Sequence, residues 1–90
     1  MFKITSGRGF QMTFENGWTV SVQFGYGNYC ENKMRGIIGK ESTVGEYKCN
    51  DAELAAWDKE GNWYEFESDA VKGWCTTNEV AAFIEMISKK

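Results

Sequence analysis

Two stretches near the N-terminus alternate apolar and polar residues. Phe10, Met12 and Phe14 make the first, and Trp18, Val20, Val22 and Phe24 make the second. A period of two is what a half-buried strand requires. Glu15-Asn16-Gly17 lies between them. A two-residue turn at Asn-Gly would pair Phe14 with Thr19 and put the two apolar rows on opposite faces. A three-residue loop instead pairs Phe14 with Trp18, Met12 with Val20 and Phe10 with Val22, on one face. Because a one-residue slip flips every side chain, the pattern selects the three-residue loop, with Gly17 in the left-handed conformation.

The next stretch loses this regularity. Gly25, Gly27, Gly36, Gly39 and Gly45 punctuate residues 25–45, and only Ile37-Ile38 offers an apolar contact. This reads as a long loop with an edge strand inside it; loops of such length in small domains often carry function. Val44–Cys49, Leu54–Trp57 and Trp63–Phe66 are strand candidates. A loop at residues 59–61 would pair Trp57 with Trp63 and Ala56 with Tyr64. Leu54, Ala56, Tyr64 and Phe66 would then share one face and the two tryptophans the other. Over residues 51–60 a helix competes, since Asn50-Asp51-Ala52-Glu53 resembles a capping box and Ala-Glu-Leu-Ala-Ala favours helix. The C-terminal signal is clearer. Thr76 and Glu79 form a capping box, and Val80, Phe83, Ile84 and Ile87 follow the apolar spacing of an amphipathic helix, with Lys89 and Lys90 at its C-terminal end. The expected fold is α+β: an antiparallel sheet of four to six strands, starting with an N-terminal hairpin, with one C-terminal amphipathic helix packed on a face. Residues 1–90 make a single domain.

Composition narrows the chemistry. Aromatic residues make up 16% of the chain, and there is no histidine and no proline. Without histidine, His-based triads, His general bases and His metal ligands are excluded. Residues 1–40 carry five basic and two acidic groups, a net of +3; residues 41–90 carry five basic and eleven acidic groups, a net of −6. The acidic second half argues against nucleic-acid binding, which needs a basic footprint. No segment has the length of a signal peptide's apolar core or a membrane span, so a cytoplasmic protein without membrane association is expected. Cys30, Cys49 and Cys75 form no CxxC pair. Reduced, partly buried thiols are the expectation, with no metal and no cofactor. Whether Cys30 and Cys49 meet is left open.

The run from Phe14 to Cys30, with Asp51-Ala52-Glu53, Trp57-Asp58, Gly61-Asn62-Trp63 and the Thr-capped helix, resembles a group of small proteins encoded by tailed bacteriophages and prophages. The resemblance covers most of the chain and is strongest over residues 14–30. The group carries no activity that transfers to particular residues. What it implies is context: an accessory protein made inside a host bacterium, of a size that often binds and inhibits a host protein, including components of antiviral defence.

Catalysis finds little footing. Cys30 as a nucleophile would need a base, and only carboxylates or lysines are present. Glu65 and Glu67, or Asp58 and Glu60, are the carboxylate pairs, and a solvated surface accounts for them. No catalytic residue is assigned. Gly25-Tyr26-Gly27-Asn28 lacks the spacing of a phosphate-binding loop. Its tyrosines, with Lys33 or Arg35, make binding of a nucleotide-like small ligand the alternative function. Protein recognition is the leading expectation, because Tyr, Trp and Arg dominate interface hot spots. The expected binding residues are Tyr26, Asn28, Tyr29, Lys33, Arg35, Trp57 and Trp63. Self-association into a homo-oligomer is a further expectation, since a small sheet with one helix leaves a face and an edge open.

Overall fold

The computed structural model describes residues 1–5, 8–33 and 48–90. Among the described residues five strands run in chain order: β1 (Phe2–Ile4), β2 (Gly9–Thr13), β3 (Thr19–Gln23), β4 (Ala52–Trp57) and β5 (Lys72–Cys75); the helix α1 (Thr77–Ser88) follows. All pairings are antiparallel, and the spatial order is β1-β2-β3-β4-β5. The α+β architecture expected from the residue pattern is the one observed.

The first hairpin has the register that the apolar rows demand. Phe10 faces Val22, Met12 faces Val20, and Thr13 faces Thr19. The Phe14 amide donates to the Trp18 carbonyl at 2.9 Å, which closes the three-residue loop. Gly17 has φ +91, where a Cβ would be strained.

Over residues 52–57 strand prevails over helix. Ala52, Leu54 and Ala56 alternate into the core, and β4 is paired on both sides. Local helix preference yields because two ladders and a buried face outweigh it. The alanines are small enough to let α1 lie close. Phe83 and Ile87 of α1 meet Val20, Val22, Leu54, Ala56 and Cys75 in the buried core, and Phe10, Phe14, Trp18, Phe24, Tyr64 and Phe66 pack around it. The helix starts as expected. The Glu79 amide donates to Thr76 Oγ1 at 3.2 Å, and the Thr76 amide donates to Glu79 Oε1 at 2.8 Å. The backbone bond holds the Glu79 carboxyl below its ordinary pKa.

Three features depart from the sequence expectation. Residues 63–66 form no full strand and make only isolated bridges, at Trp63 and Phe66. β1 and β5 carry no alternating signal in the sequence but complete the sheet. Of the Val44–Cys49 candidate, residues 44–47 lie outside the described residues, and Lys48 and Cys49 belong to no strand. Ile37-Ile38, and the edge strand expected within the loop, also lie outside the described residues where they fall in 34–45.

The helix packs on β3, β4 and β5. Phe2 and Ile4, opposite Met12 and Phe10, share the helix-side face but lie beyond α1, 77% and 80% exposed. No helix among the described residues is long and apolar enough to cross a membrane.

Candidate functional site

The site is built on the sheet face opposite α1. With Leu54 and Ala56 turned to the core, strand alternation puts Glu53, Ala55 and Trp57 on this other face. Their cross-strand neighbours on β3 are Gln23, Ser21 and Thr19. The Thr13 and Thr19 hydroxyls lie 2.8 Å apart, and Gln23 bonds Thr5 at 2.8 Å and Ser21 at 3.1 Å. The centre of the face is therefore polar and tied down. Aromatic pairs stand at two ends of it.

Trp57 and Trp63 form the first pair. They bridge across the turn at residues 58–62, with ring centroids 4.9 Å apart and planes tilted by 36°. The turn is organised by Asp58, whose carboxylate accepts the Glu60 and Asn62 amides at 2.9 Å each and the Asn62 side chain at 3.2 Å. The Asn62 amide, above all, holds Asp58 below its ordinary pKa. Asp58 thus shapes the turn and is not poised as an acid. Trp63 is 50% exposed.

The second pair is Tyr29 and Trp74, stacked at 5.7 Å with an 18° interplanar angle. Tyr29 comes from the turns that follow β3. There Asn28 closes the chain on itself: Gly25 N–H donates to Asn28 Oδ1 at 3.0 Å, and Asn28 N–H donates to the Gly25 carbonyl at 3.2 Å. Glu53 anchors the next residues, accepting the Tyr29 amide at 3.3 Å and the Asn28 side-chain amide at 3.5 Å. Trp74 N–H donates to the Tyr29 carbonyl at 2.8 Å. Lys33 Nζ lies 5.7 Å from the Tyr29 ring centroid. Gly27, at φ +84, lets the chain turn beside exposed Tyr26.

Sequence reasoning missed Trp74. Between the Leu54–Lys72 and Ala52–Cys75 pairs, β5 has one residue more than β4, which is a bulge. Lys72 stays on the helix side, 4.0 Å from Glu79, while Trp74 takes φ +51 and reaches Tyr29. The only signal of this in the sequence is Gly73 beside a tryptophan.

Tyr26, Asn28, Tyr29 and Lys33 are thus gathered at one end of the face, and Trp57 with Trp63 at the other. Arg35 lies outside the described residues. Glu53 and Trp57 are four residues apart on one strand, so the two groups are separated by about 13 Å along it. Glu65 and Glu67 lie outside the strands, and Glu67 has φ +50.

A cavity of about 340 Å³ lies on the helix side of the sheet, lined by Val22, Phe24, Cys49, Asp51, Cys75 and Val80 among others. It shares no residue with either aromatic pair.

No family model matches the chain, nor does any curated protein or solved structure.

Proposed function

We propose that the protein is a non-catalytic accessory protein of phage origin that docks the sheet face opposite α1 onto a protein of the host bacterium and inhibits it, a component of antiviral defence being the kind of target its resemblance implies. The observation that supports this reading is the pair of aromatic clusters. Trp63 is 50% exposed, Trp74 55%, and Tyr26 and Tyr29 are exposed with them. Half-exposed tryptophans and tyrosines on a rigid sheet suit the anchors of a protein interface, since they bury large area at little conformational cost. Between them Thr19, Ser21 and Ala55 are buried, so the exposed rings are the parts of this face that carry the reading.

The nucleotide-like reading has less support. A small ligand needs a concave site, and the two aromatic groups stand about 13 Å apart on a sheet face. Tyr29 already has Trp74 stacked against it and Lys33 over its ring, so a base would have to displace one of them. Self-association would draw on a different surface, the uncovered Phe2 and Ile4 side of β1.

The test is capture from bacterial lysate with the wild-type protein, Tyr29→Ala and Trp63→Ala. A stoichiometric protein partner held by the wild type and lost by both variants is the expected result. A partner that both variants retain at full occupancy would contradict the proposed surface.

A further inference from the structure

The two ends of the long β3–β4 connection meet beside the cavity. Cys30 belongs to the outgoing end, and Cys49 and Asp51 to the returning end. Their sulfurs and a carboxylate oxygen all lie within 4.8 Å of one another. The meeting is held by hydrogen bonds between side chains and backbone. Buried Asn32 donates to the Phe24 carbonyl at 3.0 Å and the Lys48 carbonyl at 2.9 Å. The Asn50 amide donates to Glu31 Oε1 at 3.1 Å. The expectation of no metal rested on the absence of a CxxC pair and of any histidine to complete a mixed site. Here the ligands come from opposite ends of a loop, which sequence spacing does not reveal.

We propose that Cys30, Cys49 and Asp51 form a binding site for a divalent cation of the zinc class, with its remaining coordination position facing the adjoining cavity.

The donor set fits that ion. Thiolate ligands select zinc over the hard cations calcium and magnesium. Zinc bonds of about 2.3 Å to sulfur and about 2.0 Å to oxygen, at tetrahedral angles, set donors about 3.5–3.8 Å apart. Cys49 Sγ already stands 3.8 Å from Asp51 Oδ1. The Glu31 amide donates to the same carboxylate at 2.7 Å and fixes its orientation, as an outer-shell partner of a metal ligand does. Cys49 and Asp51 both line the cavity, so solvent or an exogenous ligand can reach the ion. Binding forms two metal–sulfur bonds and one metal–oxygen bond and releases the two thiol protons. Thiolates, not thiols, ligate the ion, so affinity rises with pH. Bound, the ion would clamp the two ends of the connection. This site is independent of the aromatic face.

The test uses the whole chain, reduced and stripped of metal with a chelator, then titrated with Co²⁺ and back-titrated with Zn²⁺. One Co²⁺ per chain is expected, with a sulfur-to-cobalt charge-transfer band that Zn²⁺ bleaches. Cys49→Ser and Asp51→Asn each weaken binding by at least about tenfold. Cys30→Ser risks the fold because that residue is buried, so the two partly exposed ligands carry the test, and circular dichroism of the metal-free variants checks that they are folded. The proposal is overturned if the folded, reduced protein shows no charge-transfer band, or if Cys49→Ser leaves the band intact.

Discussion

A Cβ at Gly73 would sit 2.5 Å from Tyr29 Cβ and 2.9 Å from the Tyr29 carbonyl oxygen. The absence of a side chain there lets the Tyr29 segment lie against β5. Its neighbour Trp74 holds φ +51, a conformation that costs a bulky residue about 1–3 kcal/mol and persists only when its surroundings over-determine it. The stack on Tyr29 and the bond to the Tyr29 carbonyl supply that support. Gly73→Ala is therefore expected to push the Tyr29 segment away, separate the stack and lower stability by about 1–3 kcal/mol. Near-ultraviolet circular dichroism and urea unfolding read the two effects; an unchanged spectrum with unchanged stability would contradict the packing described. The pair also marks what single residues disclose in a sequence. Tyr29 stood out because it lies in a glycine-rich loop. Trp74 did not, because the bulge that aims it breaks the alternation by which a face is assigned.

The helix shows the same division at the scale of an element. Its N-terminus was legible, because a capping box is a local pattern of four residues. Lys89 and Lys90 marked its C-terminal end, but the side chain that holds that end was not legible, because it comes from the far end of the chain. Asn16, in the first hairpin loop, donates its amide to the carbonyls of Ile87 at 2.9 Å and of Ser88 and Lys90 at 3.3 Å each. Its Oδ1 accepts the Trp18 amide at 2.9 Å, so one side chain shapes the turn and closes the helix. Lys90 adds its ammonium 5.1 Å from the Trp18 ring centroid. Asn16→Ala is expected to cost about 1–2 kcal/mol in chemical denaturation. Asn16→Asp keeps the turn acceptor but sets a negative charge at the negative end of the helix dipole, so it should cost at least as much. An alanine variant as stable as the wild type would show that the contact does not hold the helix to the hairpin. The hairpin register was legible for a physical reason: only one loop length puts all the large side chains on one face. β1 was illegible for the opposite reason, since its three residues are exposed and bury nothing that would leave a pattern.

At the scale of the whole molecule, the one helix among the described residues packs on β3, β4 and β5, and large hydrophobic side chains are exposed in two places. One is the aromatic face, where Trp63, Trp74 and Tyr29 stand exposed at the ends of a buried centre. The other is the β1 side, where Phe2 and Ile4 extend the core face past the helix. Composition showed an excess of aromatics, and the periodic patterns assign Phe10, Phe14, Trp18, Phe24, Phe66 and Phe83 to the core. The surplus on the opposite face depended on the turn at residues 58–62, which was readable, and on the β5 bulge, which was not. The central claim is that the aromatic face is the docking surface, and side-chain oxidative footprinting of the protein, free and bound to its captured partner, tests it most directly. The account predicts that Trp63, Trp74 and Tyr26 become protected in the complex while Phe2 is oxidised at its free rate. Protection of Phe2 with the three aromatics unaffected would contradict it.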